Sequence, residues 1–207
     1  MKETANRAFE EMRRAAWDRL RKKEPEEIAG KAGVIYEREN SRFWIPSLGR
    51  ERTLSWEDGR FDPPLEGWQH LIILHYLDLA DGTGPTGEWI NFGSLKEGMI
   101  RGTKFDRDAE RDLAIFLKDN SPESARERFQ SLGAEKIAGR GDYCAIIPFL
   151  PNCPMLVNIW FEDEEFPASG KLLLDKSADH CFTVEDAVTA GTLVLELLRP
   201  REERREI

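Results

Sequence analysis

The sequence predicts an α+β fold: one domain with a mainly antiparallel sheet packed against several helices. Two observations carry this. Apolar or amphipathic helical patterns open the chain, cross its middle and close it. Between them lie short β-branched and aromatic runs joined by turns of a few residues, which suits antiparallel strands rather than βαβ units. A chain of 207 residues is long enough to bury a sizeable core without staples.

The elements follow in order. Ala5, Phe9, Met12, Ala16 and Leu20 recur at spacings of three and four, with Ala8, Ala15 and Trp17 widening the stripe of a first helix. Pro25, Glu26 and Glu27 suit the first turn of a short second helix, which Gly30 and Gly33 close. Strands are expected at 34–36, 43–46 and 53–56, with turns at 39–41 and 47–49. After Pro63-Pro64 the run 65–79 is apolar nearly all round, as befits a central, buried helix. Residues 81–87 read as loop and 88–92 as a short strand or extended segment. Helices near 104–118 and 122–132 follow, the second with Ser121 as N-cap and Pro122 in its first turn.

The last third returns to strands. Segments 143–149 and 155–161 form a hairpin candidate with a four-residue connection. The second of these is apolar on both faces apart from Asn158, which places it centrally under a covering helix. A third strand is expected at 171–174. Thr183 and Asp186 then make a capping box for a closing helix striped by Val184, Ala187, Val188, Gly191, Val194, Leu195 and Leu198. Arg199-Pro200 ends it, leaving a charged tail over 201–207.

Composition narrows the function. Thirty basic and thirty-nine acidic residues give a net charge of -9. Residues 1–31 hold nine basic and seven acidic side chains (net +2), so the rest carries -11. An acidic body repels phosphate backbones, which argues against nucleic acid as a partner. No apolar run approaches the ~20 residues of a membrane span, and the polar N-terminus does not read as a secretory signal. Cys144, Cys153 and Cys181 are odd in number and show no C-x-x-C spacing, so reduced thiols in a cytoplasmic protein are expected.

Several constellations could carry chemistry. Gly82, Gly84 and Gly87 match G-x-G-x-x-G as letters, but the run follows a helix instead of a strand, so an ordinary turn is the simpler reading. His70 and His75 point about 140° apart on one helix and suit no single metal ion. Glu162, Asp163, Glu164 and Glu165 follow an apolar strand directly; they suit either a solvated loop or a hard-cation or basic-partner site. Asp175, Asp179, His180 and Cys181 form the densest polar stretch beside apolar structure, able to supply an acid, a base or a ligand, or simply to satisfy a helix entry. Of six tryptophans, Trp89, beside the glycine loop and Glu88, is the one expected to face a pocket. The ligand-binding candidates are therefore Trp89, Glu165, Asp175, Asp179 and His180, with no metal assigned and the cofactor unknown.

The run Leu71-Ile72-Ile73-Leu74-His75-Tyr76-Leu77, then Asp81-Gly82-Thr83 and Thr86-Gly87-Glu88-Trp89-Ile90, resembles the middle of a prokaryotic family known as domain of unknown function 3786. So does Trp160-Phe161-Glu162-Asp163-Glu164-Glu165-Phe166-Pro167, continuing through Leu173-Leu174-Asp175 to Ser177-Ala178-Asp179-His180 and Glu185-Asp186. The resemblance implies anaerobic bacterial and archaeal hosts. It also implies the company of relatives with cysteine-rich iron-sulfur segments of the kind seen beside corrinoid proteins. The three cysteines here carry no such spacing, and no catalytic residue transfers.

The expectation is a ligand- or cofactor-binding accessory module in anaerobic, one-carbon or corrinoid-linked metabolism, with a small-molecule or protein partner. The alternatives are a metal-assisted hydrolase built on an Asp/His/Glu cluster, and an acidic protein-interaction scaffold. An enzyme would need its groups together on the floor of a concave pocket.

Overall fold

A computed structural model describes residues 2–65 and 67–199, with side chains from residue 9 onward apart from residue 66. The side chains of Ala5 and Ala8 of the first stripe, and the tail at 201–207, lie outside what is described. The predicted α+β class holds, but the strands form two antiparallel sheets where one was expected.

Helix α1 (Lys2–Leu20) buries Ala16 and Leu20, and α2 (Pro25–Ala32) ends in a left-handed Gly33 whose N–H bonds the Ala29 carbonyl. The first sheet follows as a meander: β1 (Ile35–Glu37), β2 (Arg42–Ser47), β3 (Arg50–Ser55) and β4 (Phe61–Asp62), in spatial order β1-β2-β3-β4. Its inner face carries Phe43, Ile45, Leu54 and Phe61. Helix α3 (Gly67–Leu79) is the buried centre, with Leu71, Ile72, Ile73, Leu74, Tyr76 and Leu77 all sequestered.

The second sheet contains β5 (Trp89–Ile90), β6 (Glu135–Ile137), β7 (Tyr143–Leu150), β8 (Cys153–Trp160) and β9 (Ser169–Asp175), in order β5-β9-β8-β7-β6. As expected, β8 lies in the middle. The β7–β8 connection is two residues, Pro151 and Asn152, not four, because the ladder continues through an irregularity to pair Leu150 with Cys153. Strands β4 and β6, of two and three residues, escaped the sequence reading because so few positions establish no period. Helices α4 (Arg101–Lys118), α5 (Pro122–Ser131) and α6 (Val184–Leu198) complete the chain, α6 opening on the predicted capping box.

The two sheets are joined where the β2–β3 tip meets β7 and the turn between α5 and β6. The Leu48 N–H donates to the Pro148 carbonyl at 2.7 Å. Beside it Gly49 and Gly133, both at positive φ, pass so closely that a Cβ on Gly49 would lie 2.7 Å from the Gly133 Cα. A second join runs through Tyr76, whose hydroxyl donates to the Ala32 carbonyl at 2.5 Å and accepts from the Asn152 N–H at 3.0 Å. Asn152 Nδ2 donates to the Lys31 carbonyl, and Ser177 Oγ donates to the Asn152 carbonyl. One continuous apolar cluster spans both sheets and α1 to α6.

Candidate functional site

The sequence-predicted residues divide into two places. Asp175, at the end of β9, is wholly buried. Its Oδ1 accepts from the Thr86 N–H, the Thr86 hydroxyl and the Ser177 N–H, each at 2.9 Å, and its Oδ2 from the Gly87 N–H at 2.7 Å. Burial pushes this carboxyl up, but the donors from Thr86 and Ser177 outweigh it and hold it below the usual carboxylate range. The glycine loop thus wraps an anion, and the anion is the protein's own Asp175. Trp89, half-buried, pairs with Asp175 across β5 and β9.

Asp179 and His180 lie in the 3-10 turn Lys176–His180 that Asp175 caps. Asp179 accepts the Lys96 N–H at 2.9 Å. His180 Nδ1 meets Asp81 Oδ2 at 2.8 Å, both side chains being about half exposed (49% and 52%). His180, then the Thr83 N–H, lowers the Asp81 carboxyl to about 2. Glu165 is elsewhere. It lies on an exposed turn where Asp163 Oδ1 accepts the Glu165 and Phe166 N–H groups at 2.8 and 2.7 Å. That turn precedes β9 and Asp175 ends it, so about 20 Å of strand separates them. The structure brings Trp89, Asp175, Asp179 and His180 into one neighbourhood and leaves Glu165 at the far end of the sheet. Among the described residues, no three His, Cys, Asp or Glu side chains gather as a metal ion would require.

A larger concavity lies where the sequence drew no attention. Helix α1, the β3–β4 turn and the start of α3 enclose a groove of about 600 Å³, within the usual range for small-molecule sites. Residues 10, 13, 14 and 17 form one face of α1, by the three-and-four rule, and line one wall. Trp17, Phe61, Leu65 and Leu74 supply apolar surface, and Arg13, Arg14 and Arg60 line the groove as well. Arg13 pairs with Glu10 and Arg60 with Asp58, whereas Arg14 has neither ion pair nor hydrogen bond among the described residues. Gly59, at positive φ, packs against the Trp17 indole, where a Cβ would lie 3.0 Å from the ring.

His70 also lines the groove. It is buried, its ring meets Phe61 edge-on at 4.7 Å, and Nδ1 faces the Leu65 carbonyl at 3.3 Å. Burial lowers its pKa, so the ring is neutral near pH 7, with Nδ1–H on the carbonyl and Nε2 as an acceptor. The available signal was Arg13-Arg14 placed one helical turn before Trp17. It was diluted in a net charge of +2 over 31 residues. His75 Nδ1 meets the buried Asp186 Oδ1 at 2.6 Å, a contact spanning 111 positions with no local sequence signal.

A family model described as Domain of unknown function (DUF3786) matches residues 24–196. The chain belongs to the DUF3786 family. The match begins within the segment between α1 and α2 and ends inside α6, so both sheets and the glycine loop are DUF3786 structure, whereas α1, one wall of the groove, precedes the matched region. No curated protein and no solved structure matches the chain. No helix among the described residues is long and apolar enough to cross a membrane.

Proposed function

We propose that this DUF3786 protein is a ligand-binding module, and that its ligand is a small molecule with an apolar or aromatic body and an anionic end. The carrying observation is the groove between α1, the β3–β4 turn and α3, where apolar side chains meet three arginines and one of them, Arg14, has no ion pair or hydrogen bond among the described residues. Trp17 offers an aromatic face, His70 Nε2 an acceptor, and Arg14 a charge. Binding rather than catalysis is the reading because the described residues lining the groove include no nucleophile paired with a base. The three cysteines, free and buried, support work in a reducing cytoplasm. The family resemblance supports a setting in anaerobic, one-carbon or corrinoid-linked metabolism, and the shared core supports a single domain.

The test is a titration with 8-anilinonaphthalene-1-sulfonate, an aromatic body with one anionic end. One saturable site is expected, quenching emission that disappears in Trp17→Phe, with at least tenfold weaker binding in Arg14→Glu. Absence of a saturable site, or equal affinity in Arg14→Glu, would refute the reading.

A further inference from the structure

Alternation along β3 puts residues 50, 52 and 54 on its core-facing side, where Leu54 is fully buried. The same side should carry apolar residues at 50 and 52, yet both are arginine. Their cross-strand partners are Ser47 and Ile45, both buried. The two guanidinium groups border a cleft of about 110 Å³, closed by Gln69 of α3, Ser131 at the end of α5, and leucines including Leu132 and Leu197.

Among the described residues, no acidic side chain lines this cleft. Neither arginine makes an ion pair or hydrogen bond among the described residues, and Arg52 Nε is fully shielded from water with no acceptor. The α5 carbonyls nearby are already engaged: Arg128 accepts from the Ser131 hydroxyl, Gln130 from the Gly133 N–H, and Phe129 from the Leu132 and Ala134 N–H groups. Burial, then the neighbouring Arg50 charge, pushes the Arg52 pKa down. The Gln69 amide has no partner among the described residues either.

We propose that this cleft binds a small tetrahedral oxyanion of the phosphate class, held by Arg50 and Arg52 and oriented by Gln69. The volume is far below that of a drug-sized ligand and suits a single such anion. A dianion satisfies both guanidinium groups, whose planar forks match oxyanion geometry, whereas one carboxylate neutralises only one. The site joins the β2–β3 tip to the ends of α5 and α6, so its occupant braces the crossing of the two sheets. It shares no lining residue with the α1 groove and is independent of that reading.

The experiment is calorimetric titration and thermal denaturation of the full chain with inorganic phosphate, against chloride at matched ionic strength. One saturable phosphate site and a phosphate-specific rise in Tm are expected, both weakened at least tenfold in affinity by Arg52→Gln. Without phosphate, Arg52→Gln should melt no lower than wild type, since it removes a partly buried, unpartnered charge. Arg50→Gln, at a more exposed position, carries the test should Arg52→Gln fail to fold. Competition by glycerol phosphate would show that the anion is the head of a monoester; its failure to compete would assign the site to free phosphate. Equal effects of phosphate and chloride, or unchanged phosphate affinity in both variants, would overturn the proposal.

Discussion

Replacing Asp175 by Asn tests whether the polar cluster after β9 is built to hold the chain. The substitution preserves shape but removes charge and converts one oxygen to an NH2. With its oxygen at the Oδ1 position, Asn retains the Thr86 N–H, the Thr86 hydroxyl and the buried Ser177 N–H. It presents a donor to the Gly87 N–H, which loses its bond. That bond to a charged acceptor is worth about 1.5 kcal/mol, since Gly87 is exposed and its N–H turns to water. The other three fall from charge-assisted to neutral, at about 0.5 kcal/mol each. Relief of the carboxylate's desolvation returns part of this total, leaving about 2 kcal/mol. Urea denaturation reads the loss, and amide exchange locates it. The Thr86 and Gly87 amides should exchange about thirtyfold faster, by the usual conversion of free energy to population. A stability change under about 0.5 kcal/mol together with unchanged exchange at these amides would refute the reasoning.

Two further outcomes are expected. Tyr76→Phe deletes a hydroxyl that serves the buried junction of α2, α3 and the β7–β8 turn from both sides, stranding the Ala32 carbonyl and the Asn152 N–H. A loss of about 2–3 kcal/mol in chemical denaturation is expected, at an unchanged far-ultraviolet spectrum. Stability should also fall in acid. Asp81, Asp175 and Asp186 all titrate below their ordinary range when folded: Asp81 through His180, Asp175 and Asp186 because their donors outweigh burial. A depressed carboxyl contributes stability that is present above its unfolded pKa, near 3.9, and disappears as pH falls through the folded value. Thermal melts should hold their midpoint down to about pH 4 and drop steadily from there toward about pH 2, the Asp81 value. Asp81→Asn should shallow that slope.

What was legible in the sequence was local. The capping box of α6, the Ser121 cap of α5 and the left-handed end of α2 depend on residues within a few positions of one another. The run 65–79, apolar nearly all round, announced a buried helix, because an element covered on most sides tolerates such a pattern. The Asp175 to His180 stretch was recognised as dense in polar groups. Its partners were not recognised, since Thr86 and Gly87 lie 88 or 89 positions upstream.

Sequence alone therefore determined the fold class, the chief helices, the central place of β8 and the family, all of which rest on periodicity, capping chemistry or ordered motifs. Tertiary structure alone decided that the strands divide into two sheets, which meet where the β2–β3 tip at Gly49 passes the α5–β6 turn at Gly133 too closely for a Cβ. It alone decided which anion the glycine loop wraps, since Asp175 reaches it only through the pairing of β5 with β9. It also placed Arg14 in one groove with Trp17 and Phe61, and Arg50 beside Arg52 in a cleft that no acidic side chain lines among the described residues. Pattern reports which residues seek burial. Which charges remain unanswered depends on what folds against them, and that is set by contacts far apart in the chain.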